Sequence, residues 1–222
     1  MALEKYGQSF KTMAITINGN GTVTGISVGG LPDGIVDTDM IAANAVTAAK
    51  KSAGSILQVV ATNIISETTS VSVQNGTIVD TPATVTVTSS AANSKFLISA
   101  AINGEANTDD HNIGFVLRRV IGGSTSSINV GYASDMGNRL GISFMMPVGY
   151  HGDDQSTTSS TSVMSPYLDS PSQSASTAIT YKIGVVGLGT TATYYFGRTV
   201  SDTNNNTNER LPNYITVQEI KV

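Results

Sequence analysis

Lys95-Phe96-Leu97-Ile98-Ser99-Ala100-Ala101-Ile102 is the stretch that decides the fold. Phe96, Ile98, Ala100 and Ile102 fall on alternate positions, and a period of two buries one face of an extended chain. The same alternation recurs at Val85 and Val87 between Thr84, Thr86 and Thr88, at Ile179, Tyr181, Ile183 and Val185, and at Ile215 and Val217. Further strands are expected over 56–65, 113–121, 128–133, 140–150 and 191–200. Turn-forming clusters separate them: Gln74-Asn75-Gly76, Gly122-Gly123-Ser124, Met136-Gly137-Asn138 and Gly187-Leu188-Gly189. Many short strands at this spacing predict an antiparallel β-sandwich or barrel, and no helical period follows Lys51.

Composition narrows the chemistry. The 222 residues are 13% charged, against roughly 25% in an average soluble domain, and Ser, Thr, Asn and 22 Gly fill the gap. A hydrophobic share of 40% is enough for a core and argues against wholesale disorder. With no Cys, disulfides, thiolate zinc sites and Cys nucleophiles are excluded. A net charge of −4 gives phosphate little electrostatic attraction, so nucleic acid is not an expected partner. No apolar run approaches the roughly 20 residues that span a bilayer. The N-terminal stretch lacks the apolar segment of a secretory signal, so synthesis in a cytoplasm is expected.

The chain changes character near Ser52, which divides it into 1–52 and 53–222. The first part opens with two short strands, 14–17 and 22–28, around Asn18-Gly19-Asn20-Gly21, a strong hairpin signal. Gly29-Gly30 and Leu31-Pro32-Asp33-Gly34 follow as a joint and a turn. A weak ten-residue repeat then aligns Gly34-Ile35-Val36-Asp37-Thr38-Asp39-Met40 with Asn44-Ala45-Val46-Thr47-Ala48-Ala49-Lys50. So short a segment cannot bury its apolar positions alone. Its two readings are an amphipathic helix lying on the next domain and an inter-subunit stalk. In the stalk reading Ile35, Val36, Met40, Ile41 and Val46 form the trimer contact.

Few residues could carry chemistry. Asp109-Asp110-His111 and His151-Gly152-Asp153-Asp154 could hold a divalent cation. Neither has EF-hand or zinc-motif spacing, and Asp equally favours solvated turns, so no cofactor is expected. No Gly-x-Ser-x-Gly elbow exists, and with no Trp a sugar-cleaving groove lacks its usual stacking surface. Gly184-Val185-Val186-Gly187-Leu188-Gly189 has no helix after it and is not a nucleotide loop. The chain is expected not to be an enzyme. Arg118-Arg119 and Lys50-Lys51 read as strand-edge gatekeepers or ion-pair partners. Tyr194-Tyr195-Phe196 must bury one face. The polar stretches 152–162 and 201–209 cannot pack a core, so they belong at a sandwich end or distal surface, as recognition loops or plain connections.

The string MAITINGNGTVTGISVGGLPDGIVDTDMIAANAVTAAK, residues 13–50, resembles the opening of small tail-fibre-like virion proteins of marine tailed bacteriophages. Gly54-Ser55-Ile56-Leu57-Gln58-Val59-Val60, Ser94-Lys95-Phe96-Leu97-Ile98, Tyr167-Leu168-Asp169-Ser170-Pro171 and Ile215-Thr216-Val217-Gln218-Glu219-Ile220 resemble the β domain of such proteins. The resemblance implies an all-β fold, a jelly-roll-like sandwich preceded by a hairpin arm and short stalk. It also implies a homotrimer in the virion, attached by its N-terminal region. Met13 is the natural first residue of that pattern. Residues 1–12 are then an added arm, with Leu3, Tyr6 and Phe10 as candidate virion-attachment residues. The expected function is that of a short tail fibre or spike binding the host surface. The alternative is a trimeric capsid decoration (cement) protein, favoured by the shortness of the stalk, and a glycan-cleaving tailspike is a distant third.

Overall fold

The computed structural model describes residues 16–17, 23–24, 41–43, 45–64, 69–108, 112–131, 139–147 and 158–222. The chain divides into two units, Met1–Val46 and Thr47–Val222. In the first, strands β1 (Thr16–Ile17) and β2 (Val23–Thr24) pair antiparallel, Thr16 opposite Thr24 and Ile17 opposite Val23. This is the hairpin that Asn18-Gly19-Asn20-Gly21 predicts.

Among its described residues, the second unit opens with one 3-10 turn, Ala48–Lys50, and its other regular elements are strands. They are β3 (Ile56–Ile64), β4 (Ser70–Val73), β5 (Val79–Thr88), β6 (Lys95–Ala106), β7 (Ile113–Ile121), β8 (Ser124–Ile128), β9 (Phe144–Met145), β10 (Ser160–Asp169), β11 (Ala178–Gly187), β12 (Ala192–Phe196) and β13 (Asn213–Ile220). Two antiparallel sheets result. One runs β3-β13-β6-β12-β4 with β10 on the other edge of β6, and the second runs β5-β11-β7-β8 with β9 also on β7. The all-β, two-sheet architecture is the one that the alternation demands.

Strand β6 organises the larger sheet. Along one edge it pairs with β10 from Phe96 to Gly104. Along the other it pairs with β13 from Lys95 to Ala101, then with β12 from Gly104 to Ala106. Its inward residues Phe96, Ile98, Ala100 and Ile102 are buried against inward residues of the second sheet, including Val85, Leu117, Ile179, Tyr181 and Ile183. Aromatic contacts bridge the sheets: Phe96 meets Tyr181 at 6.1 Å, and Phe115 meets Tyr194 edge-on at 5.5 Å. Tyr194 and Phe196 lie in the core, while Tyr195 between them faces the other way, as alternation requires.

Four expectations need correction. The strand expected over 191–200 spans only Ala192–Phe196, and Gly197 turns the chain out of it. Residues 129–131, expected to be extended, lie outside a strand; β8 is Ser124–Ile128 instead. The Gly122-Gly123 turn sends the chain straight back along β7, so pairing overrides the apolar pattern. Of the described part of 140–150, only Phe144–Met145 is a strand. Finally, 160–162, expected to belong to a polar loop, begins β10.

Gly104 permits the double pairing of β6. Its φ is +154°, and a Cβ there would coincide with the Tyr195 carbonyl oxygen and press on the Tyr194 ring. Gly104→Ala is expected to cost about 3 kcal/mol in chemical denaturation, because backbone on one side and a buried ring on the other must move. A loss under about 1 kcal/mol would show that β6 and β12 shift freely.

Candidate functional site

The outward face of β6 ends in a polar cluster. Asn103 and Glu105 have the opposite parity to Phe96, Ile98 and Ile102, so they point away from the core, yet both are buried. The two polar segments close over them. The Glu105 carboxylate accepts from the Thr158 N–H (3.3 Å) and the Val200 N–H (2.7 Å). Asn103 donates its amide to the Pro212 carbonyl and accepts from the Thr161 hydroxyl at 2.5 Å. The Asn213 side-chain oxygen accepts from the Asn103 N–H at 2.6 Å. Thus one strand end anchors the start of β10 and both ends of the β12–β13 loop.

That loop leaves and returns on the same edge of β6, since β12 and β13 both pair with it. Its base is closed by the Arg198–Arg210 bridge and by Leu211 N–H donating to Gly197 at 3.0 Å. The Arg198 guanidinium lies 4.4 Å above the Tyr195 ring and donates to the carbonyls of Thr199 and Val200. Asp202 pairs with Arg210 at 2.5 Å and with Arg198 at 3.9 Å. The tip is ordered by short polar bonds in place of a core. Asn205 accepts from the Thr207 N–H (2.9 Å) and hydroxyl (2.6 Å), Asn208 donates to the Thr203 carbonyl (2.8 Å), and Ser201 donates to Asn208 (3.1 Å). Glu209 accepts from both the N–H and hydroxyl of Ser159, each at 3.0 Å, tying the two polar segments together. The arrangement displays amides, hydroxyls and the Arg210 guanidinium on a fixed backbone. That is a surface suited to hydrogen-bonding a polar, polyhydroxyl ligand.

The opposite end of the domain receives the chain. Gly54 N–H donates to the Lys221 carbonyl (2.8 Å), Lys221 N–H donates to Ser55 (3.0 Å), and the Lys221 ammonium donates to the carbonyls of Ala49 and Lys51. This end is level with Lys95, which pairs with Ile220. The ten-residue rise from Lys95 to Glu105 separates the two ends by about 33 Å.

Two more buried carboxylates hold elements together, Asp169 between the sheets and Glu219 at the turn after β5. Asp169 of β10 accepts from Arg119 of β7 at 2.7 and 2.9 Å, and from the Tyr181 hydroxyl of β11 at 2.9 Å. Burial, reinforced by the Asp169 charge and hydrogen bond, pushes the Tyr181 hydroxyl pKa far up and keeps it a donor. Arg118 pairs with Asp80, which also binds Lys182 at 3.0 Å. Arg118-Arg119 are therefore the ion-pair partners that the sequence suggests. Glu219 of β13 accepts from Gln58 (2.6 Å), the Ser90 N–H (2.8 Å) and the Ala91 N–H (3.2 Å).

Asp109, Asp110, His111, His151, Asp153 and Asp154 lie outside the described residues, as do Leu3, Tyr6, Phe10, Ile35, Val36 and Met40. Ile41 and Val46 are described and are 46% and 57% exposed. Among the described residues no group of three or more His, Asp or Glu side chains gathers as a metal site, and no helix is long and apolar enough to cross a membrane. The sequence reading missed Glu105, Arg198 and Arg210. The signal for Glu105 was there: it is the lone charge in Phe96-to-Ala106, on the solvent-facing parity of a buried strand. No protein-family model matches the chain, and no curated protein matches it.

Glu219 is expected to make the domain acid-sensitive. Burial tends to raise its pKa, but hydrogen bonds from Gln58, Ser94 and Ser90 outweigh it and hold the carboxyl below its ordinary value. A depressed folded pKa gives stability that is complete above the unfolded value, about 4.3, and lost as pH falls through the folded one. Glu219→Gln is expected to lower stability at pH 7 by about 1–3 kcal/mol and to flatten the dependence of unfolding on pH below about 4.5. An unchanged acid slope would contradict this role. Glu105→Ala is expected to leave the thermal transition of the core in place while speeding proteolysis within 198–210, because the Val200 anchor is lost.

Proposed function

We propose that the protein is a structural component of a tailed-bacteriophage virion, of the short tail-fibre or spike type. Its N-terminal region attaches it to the particle, and its β domain faces outward to bind the host surface through the polar loops. The observation that carries this reading is the two-ended build of the β domain. The chain joins it beside Lys95, and the ordered polar loop sits at the Glu105 end, about 33 Å away along β6. A rigid scaffold that holds hydrogen-bonding loops far from its attachment end is the build of a recognition module. The resemblance of residues 13–50 supplies the virion setting. The jelly-roll type of sandwich belongs to this proposal, as does the absence of catalysis and of a cofactor.

Recognition here is by hydrogen bonds from fixed amides, hydroxyls and Arg210 to a polar surface group such as a glycan. Pre-ordering of 201–209 by its internal hydrogen bonds lowers the entropy lost on binding.

Adsorption competition tests this reading. Excess purified protein is expected to slow phage binding to host cells, and protein carrying Asn205→Ala with Arg210→Ala is expected to compete at least about tenfold less well. No competition by the wild-type protein would remove host recognition. Antibody labelling at capsid positions would put the capsid-decoration reading in its place. Deleting residues 1–12 is expected to abolish incorporation into particles; unchanged incorporation would show that the arm is not the anchor.

A further inference from the structure

A sheet edge is a template for another strand, and folded proteins block their edges with proline, charge, bulges or short length. Nearly every described edge of this sandwich is blocked. β5 carries Pro82 and a register shift between Lys182 and Gly184 of its partner, and β10 carries Pro166 inside the shift between Met164 and Tyr167. β4 has four residues, β9 has two, and β8 has five, four of them Ser or Thr.

β3 is the exception. Its nine residues, Ile-Leu-Gln-Val-Val-Ala-Thr-Asn-Ile, contain no Pro, Gly or charge, and among the described residues it pairs only with β13. Its register shift falls at the first residues, leaving Gln58 to Ile64 unbroken opposite Glu219 to Asn213. Val59 is 57% exposed and Ile56 50%. An uncharged, β-branched, open edge of this kind aggregates unless it is covered.

We propose that β3 is the site where a second copy of this chain adds, antiparallel, through its own β3. Two observations select this occupant. The edge has no charge, so two identical edges meet without like charges opposed, although each chain carries −4. The second copy also offers no other long open edge among its described strands, so β3 meets β3, which makes the contact two-fold. A register centred on Val60 pairs all nine residues, sets Val59 opposite Ala61 of the other copy, and continues the larger sheet across the interface. This goes beyond the proposed function and does not depend on it. It also differs from the three-fold arrangement that the resemblance implies, because a β3-to-β3 contact closes at two.

Solution mass decides it. The full chain at micromolar concentration is expected to be a dimer or a higher even assembly. Val59→Lys, at a solvent-facing position, is expected to raise the dissociation constant of that contact at least about tenfold and yield the half-mass species with an unchanged circular dichroism spectrum. Val163→Lys, on the outward face of the blocked β10 edge, is expected to leave the mass unaltered. Hydrogen exchange on the wild-type protein gives a check that needs no variant: β3 amides pointing away from β13 are expected to be protected and to lose protection on dilution. A wild-type monomer, a trimer that Val59→Lys leaves intact, equal dissociation by Val163→Lys, or concentration-independent exchange in β3 would each overturn the proposal.

Discussion

The structure depends on β6 being hydrogen-bonded along both edges. A strand in that position has no freedom to slip, because β10 fixes one register while β13 and β12 fix the other. Register then assigns every side chain of β6 to a face. Inward, Phe96, Ile98, Ala100 and Ile102 meet the second sheet and form the centre of the core. Outward, Asn103 and Glu105 reach the backbone of the polar segments. A slip of one residue would exchange the two sets, leaving a carboxylate in the core and isoleucines under the loops. The constraint that builds the sandwich therefore also places the polar loops, and Gly104 lets the chain satisfy both neighbours at once.

Scarcity of charge gives the remaining charged groups particular weight. Glu105, Asp169 and Glu219 are all buried, and all sit on strands of the larger sheet. Each is surrounded by donors: backbone N–H groups at Glu105, Arg119 and Tyr181 at Asp169, Gln58 and a turn at Glu219. A buried carboxylate without such donors would be strongly destabilising, and removing one donor leaves the charge stranded. They act as seams: Asp169 ties the larger sheet to β7 and β11 of the second, Glu219 ties β13 to β3 and to the turn after β5, and Glu105 ties β6 to the loops. Apolar packing supplies adhesion between the sheets without direction, while these seams set their alignment.

The fold was legible wherever one face of a strand is buried and the other wet. β6, β11 and β13 were readable because Phe96-Ile98-Ala100-Ile102, Ile179-Tyr181-Ile183-Val185 and Ile215-Val217 carry the period directly. β7 was readable as an apolar run with Gly122-Gly123 behind it. β8 was not, because Ser124-Thr125-Ser126-Ser127 buries almost nothing and is a strand only through its pairing with β7. The start of β10 was hidden likewise, since Ser160 and Ser162 read as loop and Pro166 reads against a strand. Pro166 is tolerated because β10 lies at an edge. At the candidate site, polarity alone placed 201–209 at the surface. The convergence of that loop with Ser159 and Glu105, some fifty and a hundred residues away in sequence, is a product of strand order, which local pattern does not encode.

The proposed function requires one orientation: the Lys95 end of the β domain toward the particle and the Glu105 end toward the host. Electron cryo-microscopy of virions, with the β domain fitted into its density, measures this directly. The expected result is the Ser201-to-Glu209 loop at the solvent-facing tip and the junction at Ser55 toward the particle. Density showing that loop packed against another virion protein, with the Ser55 end outermost, would contradict it.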